Sequence, residues 1–528
     1  MKPKSAHWAD QAAVRVIGVQ GDQSRYTVAS GITPSGTVHI GNFREVITTH
    51  LVAKALRDLG KEVRFIYSWD NFDTFRKVPK NLPQQDMLAQ HLRRPISRVP
   101  DPYQEQESYA AGNIKRFEKE MDAIGIKPEY LYQEQRYSQG LYAELMRNAL
   151  EQKETIREIL DSYRSEPLPK DWLPTTLYCE KCGRDTIAWQ RYEPGSWDYS
   201  YACGASDCQY EGTLDMRTSR NLKLNWRIDW PMRWVYEGVD FEPGGKDHSS
   251  DGGSYATGKK ITSAVWGRAA PQYLQYDFVA IKGGAGKMSS SSGELLTLSE
   301  AMAVYDPLMV RWIFATQRPN HDFCIALDVD VIKTYDEFDR AECTALSPPP
   351  TKLGRWPLTR RTYELAYEGE LPEKPPFRAP FRELCNRLQI CDGDTERTRE
   401  KFYQDETKDS CDLKAFYDRA QCALFWLQHH APEEFRYQIN KESVSVPFEP
   451  EVGVAIAALK SLIESLELSS IEAKELNQLI YDQVIRGTGV ESKAFFAAVY
   501  QKLISRAQGP RLPGFLKEIG KDRLISLL

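Results

Sequence analysis

A histidine and a lysine, each in a loop rich in glycine and small polar residues, are the side chains best suited to phosphate chemistry. His39 lies in segment 34–42 (PSGTVHIGN) and Lys287 lies in segment 283–293 (GGAGKMSSSSG). Apolar residues after His39 recur at three- and four-residue steps and predict a helix, whose first turn offers unpaired N–H groups to a phosphate. Lys287 adds a flexible positive charge among hydroxyl and backbone donors. Two simpler interpretations stay open, a helix cap for His39 and a solvated linker for the second segment.

Four of the ten cysteines form two close pairs that suit a metal ion. Cys179 and Cys182 form the first pair, Cys203 and Cys208 form the second, and 20 residues separate the pairs. Four thiolates complete the tetrahedral coordination of Zn²⁺ and leave no open position, so the predicted site is structural. The alternatives are four unbound thiols or the remnant of such a site. The other cysteines show no pairing and are predicted to be ordinary buried residues: Cys324, Cys343, Cys385, Cys391, Cys411 and Cys422.

The His39 loop lies between predicted elements of a nucleotide-binding fold. Residues 26–30 are β-prone, the pattern over 40–56 predicts a helix, and residues 63–69 predict a second strand. This order is the first unit of a doubly wound sheet. Its binding crevice lies at the carboxyl ends of the strands, where we expect both His39 and Asp70.

Beyond this unit the alternation of strands and helices breaks down. Residues 92–221 contain the cysteine pairs and little regular alternation, which indicates an insertion. Alternation returns at the β-prone run 278–281, which is predicted to be the last core strand and leads into the Lys287 loop.

Two proline-rich segments, 347–350 and 371–376, indicate a linker region. Beyond it only helical patterns remain. One of them is predicted over 471–485, where Ser469 and Glu472 have the spacing of a capping box.

The predicted fold class is therefore α/β, with a split Rossmann-like nucleotide-binding catalytic domain that carries a zinc-bearing insertion, followed by an all-α C-terminal domain. The length of 528 residues accommodates three or four domains. The predicted parts are the first half of the catalytic domain (1–91), the insertion (92–221), the second half (222–293), a connecting helical segment (294–370) and the helical domain (371–528).

Composition narrows the class of protein. Hydrophobic residues make up 41% and charged residues 27% of the chain, as in an ordinary globular protein. The net charge of -5 does not indicate nucleic-acid binding by the chain as a whole, although a local basic face remains possible. The longest apolar run, 452–459, is too short for a membrane span, and the N-terminus leads into no hydrophobic segment. We expect a cytoplasmic protein without a membrane partner.

Together, the two loops resemble the paired signatures of class I aminoacyl-tRNA synthetases, which are a His-Ile-Gly sequence at the first helix and a Lys-Met-Ser sequence after the last strand. Further segments are similar to the class I lysyl-tRNA synthetase family, and this resemblance covers nearly the whole chain. The segments are PSGTVHIGN at 34–42, RKVP at 76–79, KLNWRIDWPMRW at 223–234, FEPGGKDH at 241–248 and KMSSS at 287–291.

The resemblance implies ATP-dependent activation of L-lysine to lysyl-adenylate and transfer of the lysyl group to the 3′ end of tRNA(Lys). ATP is then a substrate, with Mg²⁺ expected on its phosphates. Two alternatives stay open, namely another class I synthetase such as the glutamyl enzyme, and a tRNA-binding paralogue that no longer catalyses. Intact His39 and Lys287 argue against the second.

The resemblance also implies which residues act. His39 and Lys287 are expected to be catalytic, because both can stabilise the charge of the departing pyrophosphate. Serines at 290–292 occupy the places where the family often carries a second lysine, so Lys287 is the only ammonium of its loop. ATP binding is expected at Pro34, Ser35, Gly36, His39, Gly41, Asn42, Lys287, Met288, Ser289, Ser290 and Ser291. Lysine binding is expected at Gly31, Thr33, Asp70, Trp226, His248 and Tyr276.

Several lysine-binding assignments compete with a structural role. Trp226 and Tyr276 either flank the aliphatic stem of lysine and attract its ammonium, or are core aromatics. Asp70 and Asp73 either pair with an amino group of lysine or cap loops, and capping is the favoured interpretation.

The C-terminal region interleaves basic and aromatic residues, as RNA-binding surfaces do. A helical surface with solvated charges over an aromatic core explains any single residue equally well. Resemblance to the family's helical anticodon-binding domain favours tRNA for the region as a whole. The residues are Arg486, Lys493, Lys502, Arg506, Arg511 and Lys517, with Phe495, Phe496, Tyr500 and Phe515.

Overall fold

The computed structural model describes residues 6–80, 82–284, 295–403 and 410–528. The chain divides into two compact units. The first comprises Met1–Met302, Pro307–Ile325 and Ala341–Glu373, and the second comprises Ala303–Asp306, Ala326–Arg340 and Lys374–Leu528.

The strands are short and most precede residue 285. In chain order they are β1 (Arg25–Ile32), β2 (Glu62–Trp69), β3 (Glu129–Tyr132), β4 (Thr175–Leu177), β5 (Ile187–Tyr192), β6 (Asp198–Cys203), β7 (Glu211–Asp215), β8 (Leu222–Leu224), β9 (Val239–Gly245), β10 (Gln272–Tyr276), β11 (Val279–Ile281) and β12 (Phe323–Ile325).

The α-helices are distributed along the whole chain. Those before residue 285 are α1 (Trp8–Gln20), α2 (Ile40–Asp58), α3 (Gln85–Ala89), α4 (Tyr109–Ala123), α5 (Gln133–Ser138), α6 (Ala143–Glu151), α7 (Lys153–Asp161), α8 (Trp226–Glu237) and α9 (Ser254–Trp266). Those after it are α10 (Leu298–Val304), α11 (Pro307–Thr316), α12 (Asp330–Leu346), α13 (Trp356–Ala366), α14 (Phe381–Ile390), α15 (Thr395–Phe402), α16 (Ser410–His429), α17 (Pro450–Ser465), α18 (Ala473–Leu479), α19 (Ser492–Ile504), α20 (Leu512–Ile519) and α21 (Lys521–Leu527).

A parallel five-stranded sheet forms the centre of the first unit, in the order β10-β9-β1-β2-β3. Five consecutive residues of β1, 26–30, are buried, as in a sheet covered on both faces. The predicted strand, helix and strand of residues 26–69 are confirmed as β1, α2 and β2, and Gly60 follows α2 at a positive φ of 79°. From β1 the chain adds strands first on one side and later on the other, which places a ligand crevice at the carboxyl end of β1.

Two strands differ from the prediction. β3 lies inside the predicted insertion 92–221, yet it pairs with β2 as an edge of the central sheet. β11 does not join that sheet, because it pairs with β12 in a separate two-stranded sheet. The first half of the sheet therefore extends past residue 91, and the run before the Lys287 loop is not the last strand of the core. Both runs have only three or four residues, so their sequence carries no readable period.

The remainder of the insertion has antiparallel pairing and an aromatic core. β4 pairs with β8, and β5, β6 and β7 form a three-stranded sheet. Tyr178, Tyr199 and Tyr201 are fully buried there, together with the nearby thiols of Cys179 and Cys203.

Within Lys374–Leu528 the described elements are helical, around an aliphatic and aromatic core. The predicted capping box is wrong: Glu472 precedes α18 without a side-chain cap, and Ser469 Oγ donates to Glu467 instead. The helix predicted over 471–485 is α18 followed by a π-helical segment, Ile480–Arg486. Among the described helices, none combines the length and the hydrophobicity that a bilayer crossing requires.

Candidate active site

A cavity of about 1280 Å³ opens at the carboxyl ends of β1 and β2. Pro34, His39 and Gly41 are not among its lining residues, although their neighbours are. Lys287, Met288, Ser289, Ser290 and Ser291 lie outside the residues that the structure describes. The predicted residues that line the cavity are Gly31, Thr33, Ser35, Gly36, Asn42, Asp70, Trp226, His248 and Tyr276.

His39 caps α2. Its Nδ1 accepts a hydrogen bond from Gly41 N at 3.1 Å, and Asn42 Oδ1 accepts one from His39 N at 3.1 Å. A neutral imidazole that accepts through Nδ1 carries its proton on Nε2. The cap therefore prepares Nε2 as a donor, so that capping and phosphate contact are compatible roles.

The first turn of α2 differs from the prediction of unpaired N–H groups. Ile40 N donates to Leu296 O at 2.8 Å, Gly41 N donates to His39, and Asn42 N donates to His39 O at 2.9 Å. These three donors are occupied within the protein. The helix end retains its partial positive charge, which still favours an anion nearby.

Glu45, one turn further along α2, places a carboxylate in the wall of the cavity. Its Oε1 accepts from Gly31 N at 2.9 Å and its Oε2 accepts from Tyr276 OH at 2.6 Å. Burial raises the pKa of Glu45 to about 8 despite these hydrogen bonds. Within the described part of the chain, no lysine or arginine forms an ion pair with Glu45. The site therefore contains an acid that a cation entering the cavity can neutralise.

Sequence reasoning missed Glu45. A single acid among the apolar residues of a predicted helix is most often a solvent-facing position. The available signal was its spacing, because Glu45 follows Gly41 by four residues and therefore lies on the same face of the helix.

Of the three aspartates that line the cavity, Asp247 is exposed, and the two more buried ones, Asp70 and Asp73, have cationic partners. Arg233 lies 2.6 Å from Asp70, and Lys223 lies 2.6 Å from Asp73. Asp229 joins the two pairs, at 3.3 Å from Arg233 and 3.8 Å from Lys223. Because Arg233 neutralises Asp70, the geometry does not favour Asp70 as a partner for an amino group of lysine.

The titration of these aspartates follows their surroundings. Burial raises the pKa of Asp70 although Arg233 opposes it. Burial also acts on Asp73, but there the ion pair with Lys223 outweighs it, and the pKa of Asp73 is lowered.

Gly31 and Trp226 both line the cavity. A Cβ at Gly31 would lie 2.7 Å from Ser68 O, so the close approach of β1 to β2 requires glycine there. Trp226 stacks on Trp230 with ring centroids 5.2 Å apart and lies 6.2 Å from the ring of His248. Trp226 is half-buried, and it lines the cavity.

The four predicted metal ligands come together. The sulfur atoms of Cys179, Cys182, Cys203 and Cys208 lie within 4.8 Å of one another, and two of the separations are 3.7 Å. Tetrahedral Zn²⁺ with sulfur ligands at about 2.3 Å requires sulfur atoms about 3.8 Å apart. The geometry of the thiols therefore fits a zinc ion.

The prediction that the other cysteines are buried is confirmed for Cys385, Cys391 and Cys422. It is wrong for Cys324 and Cys343, which are exposed on the short strand β12 and on α12. The side chain of Cys411 lies outside the described part of the structure.

The C-terminal aromatic residues do not form an RNA-stacking surface. Phe495, Tyr500 and Phe515 are buried in the helical core, and Phe496 packs against it. Of the basic residues, Lys493 and Arg511 are exposed, and Arg486 forms an ion pair with Asp482. Lys502 donates to Ser443, Arg506 donates to Glu433 O and Lys517 donates to Ile471 O. The core interpretation therefore holds for the aromatics.

Comparison with known proteins identifies the family. The sequence model described as "tRNA synthetases class I (K)" matches residues 6–366. The lysine–tRNA ligase of Treponema pallidum is 41% identical over 99% of this chain and 98% of its own, and that of Borreliella burgdorferi is 41% identical over 98% of each chain. The lysine–tRNA ligase of Pyrococcus horikoshii is 40% identical over 99% of both chains. The chain thus belongs to the class I lysyl-tRNA synthetase family.

Proposed function

We propose that this protein is a lysine–tRNA ligase, which activates L-lysine with ATP and transfers it to tRNA(Lys). The family and the relatives named above support the reaction. The observation that carries the choice of amino acid is Glu45, a carboxylate in the cavity wall with hydrogen-bond partners but no cationic partner among the described residues.

A lysine ε-ammonium complements Glu45. Its positive charge compensates the carboxylate, and the hydrogen bonds from Gly31 and Tyr276 hold that carboxylate in place. Trp226 offers an aromatic face beside the aliphatic stem. A glutamate side chain would instead place a second carboxylate beside Glu45, which would keep Glu45 protonated and form no ion pair with it, so the site favours lysine over glutamate.

In the first step, an oxygen of the lysine carboxylate attacks the α-phosphorus of ATP, the bond from that phosphorus to the bridging oxygen of the β-phosphate breaks, and pyrophosphate leaves. Mg²⁺ on the phosphates would neutralise part of their charge. His39, through Nε2, and Lys287 are the proposed donors to the phosphates. Segment 34–42 is the proposed ATP-binding loop. In the second step, a hydroxyl of the terminal tRNA ribose attacks the lysyl carbonyl carbon, the bond from that carbon to the phosphate oxygen breaks, and AMP leaves while the hydroxyl proton passes to solvent.

Arg76, Lys77 and Lys80 line the cavity with exposed side chains and are suited to phosphates of the tRNA 3′ end. The helical region from about residue 371 is the proposed anticodon-binding domain. The cysteine cluster would hold a structural Zn²⁺ in the insertion, and the proposed location is the cytoplasm.

The test is charging of tRNA(Lys) with radiolabelled lysine, with glutamate as the competing amino acid. We expect lysine to be charged and glutamate not. Glu45→Gln should weaken charging, whereas Glu62→Gln, at an exposed position of β2, should not. Charging of glutamate, or an unaffected Glu45→Gln variant, would contradict the proposal.

A further inference from the structure

A hydrogen-bonded chain leads from a buried lysine to the cavity. Lys223 Nζ lies 2.6 Å from Asp73 Oδ1, and Thr33 Oγ1 donates to Asp73 Oδ2 at 2.7 Å. Thr33, Asp73 and Lys223 all line the cavity, although Lys223 itself is buried.

The chain fixes the direction of the Thr33 hydrogen bond. A hydroxyl has one hydrogen and can accept through its oxygen, whereas an ionised carboxylate only accepts. As long as Lys223 keeps Asp73 ionised, the hydrogen of Thr33 points to Asp73. The Thr33 oxygen can then only accept a hydrogen bond from a group in the cavity.

Thr33 and Glu45 provide two separate acceptors in the wall of one cavity. Glu45 is anchored beside Gly31 N, and Thr33 follows two residues later. Thr33 follows the end of β1, and two residues of chain span at most about 7 Å. In lysine, the α-carbon and the four carbon atoms of the stem lie between the α-ammonium and the ε-ammonium. One acceptor is therefore available for each ammonium.

We propose that Lys223 and Asp73 are positioning residues that hold the Thr33 hydroxyl as an obligate acceptor for the α-ammonium of lysine. This inference rests on the proposed function, with the ε-ammonium bound at Glu45. In this assignment Lys223 and Asp73 act on the substrate through Thr33.

The charged and titratable groups around Asp73 come from several elements. Lys223 lies on β8, Asp229 and Arg233 on α8, Asp70 after β2 and Tyr178 after β4. Without Lys223, burial would favour the protonated form of Asp73 as the pH falls. A protonated Asp73 can donate to Thr33 and release the Thr33 hydrogen toward the cavity, where it opposes an ammonium.

The first experiment removes the acceptor in the intact enzyme, with lysine-dependent pyrophosphate exchange as the assay. Thr33→Val should raise the KM for lysine roughly tenfold or more, and Thr33→Ser should restore it. Two inhibitors separate the ammonium groups: 6-aminohexanoate lacks the α-ammonium, and norleucine lacks the ε-ammonium. Thr33→Val should weaken the binding of norleucine as much as it weakens the binding of lysine. It should leave the inhibition constant of 6-aminohexanoate nearly unchanged. An equal loss of 6-aminohexanoate binding would overturn the assignment of Thr33 to the α-ammonium.

The second experiment tests the positioning residues by pH. The ratio of the KM of Lys223→Met to that of the parent should grow between pH 8 and pH 6, whereas Lys223→Arg should follow the parent. For 6-aminohexanoate, the ratio of the inhibition constant of Lys223→Met to that of the parent should not change over this range, because its ammonium binds at Glu45 in both proteins. A ratio independent of pH in a folded Lys223→Met variant would overturn the role of Lys223. Failure of the proposed function would appear separately, as parent enzyme without lysine-dependent exchange.

Discussion

Lysine binding should release a proton, and Glu45 should be its source. The carboxyl has a pKa of about 8 in the free protein, so at pH 7 roughly one tenth of the molecules carry it ionised. An ammonium beside it favours the ionised form and lowers that pKa. At pH 7, binding should therefore release about 0.9 proton per lysine.

The coupling between Glu45 ionisation and lysine binding also makes the affinity for lysine depend on pH. Below pH 8 each pH unit should weaken lysine binding about tenfold, which is about 1.4 kcal/mol, because ionising Glu45 costs that much more. The sign follows from the raised pKa, since the free protein holds the proton below pH 8 and the complex does not. Affinity should thus rise from pH 6 to pH 8.

Titration calorimetry measures both quantities, with lysine added in buffers of different ionisation enthalpy. Glu45→Gln should bind lysine more weakly, without proton release and without this pH dependence. Glu62→Gln should behave as the parent protein. Tight lysine binding by the parent protein with no proton released at pH 7 would refute the role of Glu45.

Three further outcomes follow from other parts of the molecule. Lys287→Ala should raise the activation free energy of adenylate formation by about 3 kcal/mol, which slows the step roughly 100-fold, and should change the affinity for lysine little. Single-turnover adenylation at the parent rate would contradict the role of Lys287. Purified protein should contain close to one equivalent of zinc by elemental analysis, and Cys179→Ser should lose it, whereas protein prepared without chelator and free of zinc would exclude the metal. Arg233→Met should destabilise the protein by about 3–5 kcal/mol in urea unfolding at pH 7, because Asp70 remains buried without its cation and Asp229 keeps only the more distant Lys223; the exposed Arg227→Met should cost far less.

The elements around His39 could be predicted because their patterns are long. The helix α2 has 19 residues with a clear helical period, and β1 and β2 flank it with eight residues each. β3 and β11 have four and three residues, and their pairing depends on partners far away in sequence, such as β12 for β11. No local pattern specifies such a partner.

The sequence predicted the chemical role of single residues better than it predicted which residues contact each other. The cysteine pairs and most of the predicted lysine-binding residues do converge, since their chemistry requires it. The pairing of Asp70 with Arg233 was not readable, because more than 160 positions separate them in sequence. Likewise, Phe495 and Tyr500 alternate with basic residues, but only tertiary packing shows that these rings face the core.

The two units are also built from discontinuous segments. Ala303–Asp306 and Ala326–Arg340 belong to the second unit, although both precede the proline-rich segments. Within that unit the buried Arg419 pairs with Asp339 at 2.5 Å. A linker signal in the sequence marks where composition changes, and it does not reveal that an earlier helix packs into the later unit.

The central claim is that this cavity selects lysine for activation by ATP. Amino-acid-dependent pyrophosphate exchange with all twenty amino acids, at pH 8 and both with and without tRNA(Lys), tests it most directly. We expect exchange with lysine to far exceed exchange with any other amino acid, and Glu45→Gln to lose this exchange. Exchange driven by glutamate or by another amino acid in preference to lysine would contradict it.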